Sequence, residues 1–175
     1  MSALPFTAQL INVFAAVLLL LSFAMLAQRR ILSLVDLLAW QGAALVGSTL
    51  AVAYSTGQQH LYYSAALTLA LKVILVPLVL HRLIRRLAVR WDTEPLLNIP
   101  ATMIVGLALV VFSFGLAQPI SALASTVTRS TLGIAIAVVM LAFLMMITRR
   151  KAISQVIGFL AMENGLFFAA TSATY

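Results

Sequence analysis

Residues 149–175 read RRKAISQVIGFLAMENGLFFAATSATY, a basic triplet followed by a long apolar run that carries one charge, Glu163. Glu163 lies 13 residues past Arg150, about 20 Å along a helix rising 1.5 Å per residue. That is well inside a hydrocarbon layer about 30 Å thick. A carboxylate at such depth is costly whether paired, solvated or protonated, so residues of this kind mark proton or ion pathways. The stretch therefore reads as a membrane helix with a functional acid near its middle.

The rest of the chain agrees with a membrane setting. Of 175 residues, 63% are apolar and 9% charged, the composition of an integral membrane protein. The Ala- and Leu-rich runs favour helices over a barrel, whose strands alternate with period two. Six spans are readable: Pro5–Ala27, Leu32–Tyr54, Leu61–Leu80, Pro100–Gln118, Ser130–Ile147 and Ala152–Thr174. Each is long enough to cross with some tilt. The breaks are short and polar, with a longer one over Pro119–Arg129, and no soluble domain fits between them. The expected fold is an all-α integral membrane protein, one bundle of six transmembrane helices occupying 1–175. The first helix is expected to be retained, because Arg29-Arg30 follows its apolar run and no charged segment precedes Pro5.

There is no cysteine, which excludes disulfides, thiolate metal sites and cysteine-held iron–sulfur clusters. The two histidines, His60 and His81, sit near expected helix ends and make a poor haem ligand set. The net charge of +7 is better read as a topology signal than as a nucleic-acid footprint. Arg29, Arg30, Arg82, Arg85, Arg86, Arg90, Arg149, Arg150 and Lys151 follow the odd-numbered spans, and Arg129 alone lies on the other side. The positive-inside rule puts the loops with nine cations in the cytoplasm and both termini outside. Arg82–Arg90 extends the third span as a basic helix that breaks at Asp92–Pro95, with Trp91 at the interface. It reads as an anchor on anionic lipid or as a contact for another subunit.

Three ionisable residues fall inside spans: Asp36, Lys72 and Glu163. Asp36 is six residues past Arg30, about 9 Å along the helix, and can reach the interface or pair with a nearby arginine. Lys72 precedes Arg82 by ten residues, about 15 Å, a distance that puts it near the midplane. Ser64, Thr68 and Lys72 recur every four residues and share one face. Pro77 removes the hydrogen bond to the carbonyl of Val73, so a kink with a freed carbonyl is expected beside the lysine. The alternative for Lys72 is an ion pair that serves assembly only. For Glu163 it is a neutral, hydrogen-bonded acid that serves packing only. Asn164 and Gly165 adjoin Glu163, and Gly158, Gly165 and Ala169 permit close helix approach there. A faint internal echo relates RRILSLVDLLAWQGAALV at 29–46 to RRKAISQVIGFLAMENGLFFAA at 149–170. With two residues inserted, Gln41 falls opposite Glu163, as in an old duplication that kept a polar site and lost its charge. No Walker loop, dinucleotide glycine fingerprint or nucleophile–histidine pair is present. The expected proton or ion pathway comprises Glu163, Lys72, Asp36, Gln41, Thr68 and Ser64.

GFLAMENG at 158–165, preceded by RRKAISQVI, resembles component E of hydrogenase-4, the HyfE family. LKVILVPLVL at 71–80 resembles that family's third helix. The resemblance covers essentially the whole chain; the MENG element and the Lys-to-Pro spacing are its most specific parts. Residues 130–175 are also similar to the small K-type subunit of respiratory complex I (NuoK) and to the C-type subunit of multisubunit cation/proton antiporters. The resemblance implies a subunit in the membrane arm of an energy-converting nickel–iron hydrogenase, in a bacterial or archaeal cytoplasmic membrane. Such a subunit is not an enzyme by itself and holds no cofactor or redox centre. Its partners would be antiporter-like subunits and a quinone-site-like subunit, with the soluble hydrogenase arm beyond them, in contact with membrane lipid and with no nucleic acid. Glu163 would correspond to the glutamate of the arm's central polar axis. The family continues through a further helix with another acidic residue, whereas this sequence stops at Tyr175. A subunit of a cation/proton antiporter and a purely structural scaffold are the other classes the residues allow.

Overall fold

The structure, a computed structural model, describes residues 6–87, 97–121 and 126–173. Arg90, Trp91, Asp92–Pro95 and Tyr175 lie outside the described residues. Among those described there are six long helices: α1 Phe6–Ala27, α2 Ile31–Thr56, α3 Gln59–Leu87, α4 Ile99–Ser121, α5 Thr126–Thr148 and α6 Ala152–Ala173. All six contain stretches long and apolar enough to cross a membrane.

Two hairpins, α1–α2 and α5–α6, form the centre of the bundle. Within it α1 packs on α5 and α2 on α6. α3 lies along α2, and α4 lies along α5 and α1. The core is layered along the helices. At one end Met25, Ile31, Leu34, Leu80, Met145 and Ile157 meet. In the middle Leu18, Leu45, Val138 and Phe168 do, and at the other end Ile11, Val52 and Leu61. Hydroxyl side chains are accommodated by bonding backwards to carbonyls one turn earlier, as Thr49 does to Leu45 and Ser113 to Leu109. The outward faces are apolar too: Leu20, Tyr63, Ile104, Val111 and Ile147 are all well exposed. A chain folded in water would expose far less contiguous apolar surface.

The helix ends depart from the expected spans in informative places. α2 runs on to Thr56 and stops at Gly57, whose φ of 66° is the left-handed cap conformation that glycine adopts without penalty. α4 continues through Pro119 to Ser121, and α5 begins at Thr126, so the expected break over Pro119–Arg129 is much shorter. A proline in the last turn removes one hydrogen bond at the helix end and need not stop the helix before it. α3 does not end at Leu80. It runs unbroken to Leu87.

Arg149 is placed differently from a simple topology cation. It is 4% exposed, and its Nη2 donates to the carbonyls of Leu26 at 3.0 Å and Gln28 at 2.7 Å. Those carbonyls lie at the end of α1, where the last turn of a helix leaves acceptors unpaired and partially negative. Arg149 thus ties the α5–α6 turn to the end of α1. It also brings the Arg29–Arg30 turn and the Arg149–Lys151 turn to the same end of the bundle, hereafter the basic end.

Candidate proton site between three helices

The site is built on a glycine-set rotation of α6. A Cβ on Gly158 would meet Met146 at 2.9 Å, and one on Gly165 would meet Val138 at 2.9 Å. Both glycines therefore face α5 and let it come close, as their positions in the sequence imply. Each helical residue advances about 100°, so Asn164 turns inward toward α2 and α3. Glu163 comes to the edge, its side chain 49% exposed. It stands on an outward stripe with Val156, Phe159 and Leu166, all exposed, and is the one charge on that stripe.

α3 delivers the lysine through an irregular turn. The expected kink at Pro77 is replaced by a π-helical segment, Leu69–Leu75, between α-helical Gln59–Thr68 and Val76–Leu87. The N–H of Val76 bonds to the carbonyl of Leu71, five residues back. This wider turn absorbs the hydrogen bond that Pro77 cannot make. It also re-phases the helix by one residue. In an unbroken α-helix the face of Thr68 and Lys72 would continue to Val79 and Leu83. Instead Leu80 and Ile84 are buried, and Val79 and Leu83 are exposed. Wide turns of this kind cluster at functional sites. On α2, Gly42 faces the lysine: a Cβ there would lie 3.6 Å from the Cβ of Lys72 and 3.3 Å from Val73.

Lys72 Nζ lies 3.1 Å from Glu163 Oε1 and donates to Asn164 Oδ1 at 3.0 Å. The ring of Phe167 is 5.7 Å away, within reach of a cation–π attraction. From Asn164 the hydrogen bonds continue across the bundle. Asn164 Nδ2 donates to Gln41 Oε1 at 3.2 Å, Gln41 Nε2 to Ser22 Oγ at 2.9 Å, and Ser22 Oγ to the carbonyl of Leu18 at 2.9 Å. Asn164, Gln41 and Ser22 are all buried, Gln41 completely. Every donor in this chain points away from Lys72 and every amide oxygen points toward it, so the dipoles add. The chain is an anchor that favours a cation at Lys72. Amide groups hold no exchangeable acid proton for relay, so the acid–base chemistry is confined to Lys72 and Glu163. Beside them is a void of about 10 Å³ lined by Leu38, Lys72, Val76, Leu160 and Asn164, at the lower limit for one water molecule.

Of the residues expected in the pathway, the structure brings together Glu163, Lys72 and Gln41. Gln41 meets the residue next to Glu163, across the seam where α2 lies beside α6. Thr68 is buried on the same face of α3, but its hydroxyl is spent on the carbonyl of Ser64 at 2.8 Å. Asp36 is elsewhere. Its partner is His81 at 3.4 Å, not an arginine, because His81 is carried to the α2 side by the re-phased helix. Ser22 escaped the sequence reading although it is the lone hydroxyl in an apolar run. His81 escaped it because α3 was expected to end at Leu80.

No family model matches the chain, and no solved structure matches it. A relative is found in Mycobacterium tuberculosis (strain ATCC 25618 / H37Rv): the protein described as "Uncharacterized protein Rv0085" is 33% identical over 164 residues, which cover 93% of this chain and 74% of that protein. Matched over nearly its whole described bundle, the chain belongs to the family of this mycobacterial protein.

Proposed function

We propose that this chain is a non-redox membrane subunit that carries part of a proton or ion path in an energy-converting nickel–iron hydrogenase complex related to complex I. The observation that carries the reading is the Lys72–Glu163 pair, 3.1 Å apart. Its lysine is held by Asn164 from inside, and its carboxylate is half exposed on an apolar outward stripe. In a bilayer that stripe would face lipid or another subunit. A carboxylate kept there is costly unless a partner or water reaches it. Glu163 is the proton carrier in this reading. Lys72 is its charge partner, which releases or takes up the carboxylate as the proton comes and goes. The resemblance of GFLAMENG and LKVILVPLVL to the HyfE family narrows the complex to the hydrogenase type. The partners would be antiporter-like and quinone-site-like membrane subunits, with electron transfer in other chains. A subunit of a cation/proton antiporter fits the same pair. The identity of the subunits that co-purify in mild detergent separates the two.

The test is Glu163→Gln in the assembled complex in proteoliposomes, with substrate turnover and proton uptake followed together. Glutamine keeps size and hydrogen bonding and loses the titratable proton. Turnover without proton uptake is the expected result. Unchanged uptake at equal assembly would leave the pair a structural clamp and the chain a scaffold.

A further inference from the structure

α2 and α3 meet again nearer the basic end, at a second polar pair. His81 Nε2 lies 3.4 Å from Asp36 Oδ1. The other ring nitrogen, Nδ1, lies 3.0 Å from the carbonyl oxygen of Pro77. A carbonyl oxygen only accepts, so Nδ1 must carry the hydrogen of that bond. A neutral imidazole has one N–H and one lone pair. With Nδ1 as the donor, the lone pair of Nε2 would face an anionic oxygen with no hydrogen between them. The contact closes when one more proton is present, on Nε2 as the imidazolium or on Asp36 as the acid. We infer that Asp36 and His81 form a proton-binding site that holds one proton between the ring and the carboxylate at the basic end of the bundle.

The surroundings suit such a site. α2 is the helix packed along this half of α3, and Asp36 is the charged group it presents to His81. On α3 itself Arg82 and Arg85 line, with His81, Leu75, Leu78 and Val79, a surface hollow of about 700 Å³. The two arginines oppose a further positive charge, and the Asp36 carboxylate offsets them. The His81 and Asp36 side chains are 31% and 63% exposed, so water at the basic end can deliver a proton. Pro77, whose carbonyl fixes the ring, adjoins Val76, which lines the small void beside Lys72. A proton from water is taken up at the pair and passed to the next acceptor, with no bond to carbon and no electron involved. The site is the entry for protons bound for Glu163. That destination rests on the proposed function, whereas the bound proton rests on the geometry alone.

The experiment uses the full chain, labelled with ¹⁵N-histidine, in nanodiscs of phosphatidylcholine and phosphatidylglycerol. The chain has two histidines, so His60→Gln leaves His81 as the reporter. At pH 7 the nitrogen spectrum is expected to show His81 doubly protonated, or to show the Nδ1–H tautomer with a carboxylic-acid stretch in the infrared that Asp36→Asn removes. If the ring is the holder, Asp36→Asn, which can donate to Nε2, lowers the imidazolium population about tenfold, the effect of losing one close opposite charge. A neutral ring with an ionised Asp36, or an unchanged spectrum in Asp36→Asn, overturns the site. Proton uptake by the assembled complex separates the two proposals. Normal uptake with Asp36→Asn overturns the entry role alone, and normal uptake with Glu163→Gln overturns the relay.

Discussion

Lys72 donates to an asparagine oxygen and sits against a glutamate oxygen, which engages two of the three hydrogens of an ammonium group. Removing it leaves a carboxylate and a buried amide without their cation. Lys72→Ala is therefore expected to reduce ion translocation more than Asp36→Asn, whose carboxylate lies outside the chain of bonds that crosses the bundle. Proteoliposome uptake at matched assembly measures the order, and the reverse order would move the centre of the path to Asp36. Gln41 is the central link, accepting from Asn164 and donating to Ser22. Gln41→Leu fills the same space and strands a buried donor and a buried acceptor. It is expected to lower stability by about 1–3 kcal/mol, read as a fall in the midpoint of unfolding in mild detergent. Lys72 and Glu163 were legible in the sequence because a charge deep in an apolar run has no innocent explanation. Ser22 was not, because a hydroxyl can satisfy itself on its own helix and so carries no such mark.

Among the helices, α3 and α6 decide the geometry of the site. The π-helical turn at Leu69–Leu75 adds one residue ahead of Pro77 and turns Leu80 and Ile84 inward. Deleting Ile74 removes the extra residue and leaves both flanking α-helical segments in phase. Such a chain is expected to fold and to lose translocation, since Lys72 loses its wide turn. Deleting Ala161, in regular α6, re-phases Asn164 and Gly165 and is expected to abolish folding. Expression and gel-filtration profiles of the two deletions make the comparison, and equal damage by both would count against a special role for the wide turn. On α6, Gly165→Val drives a side chain into Val138 and Val139, whose atoms lie at 2.9 and 3.0 Å from the Cβ position. The overpacking is expected to cost about 1–3 kcal/mol, again seen as a lower unfolding midpoint. The sequence shows Pro77, but it offers two responses, a kink or a widened turn. The choice depends on what α2 and α6 place against the helix.

At the scale of the molecule, the basic turns and the apolar outer faces make one prediction together. With the Arg29–Arg30, Arg82–Arg86 and Arg149–Lys151 segments on the cytoplasmic side, a cysteine placed at Arg86 is expected to react with impermeant reagent only from that side. No native cysteine competes, so labelling in intact cells and inverted vesicles reads it directly, and labelling from outside would reverse the topology. Composition and the spacing of charges determined, by themselves, that this chain is six long apolar helices with cations after the odd-numbered ones, because hydropathy and helix rise are local properties. They also marked the depth of Lys72 and Glu163, which is distance along one helix. Which helices lie side by side was decided only in the tertiary structure. So was the assignment of Lys72 to Glu163, of Asp36 to His81, and of Arg149 to the end of α1. Partners across a bundle depend on the rotation of each helix, and that rotation is set by close contacts at Gly42, Gly158 and Gly165 and by one extra residue in a turn, none of which a single helix specifies alone.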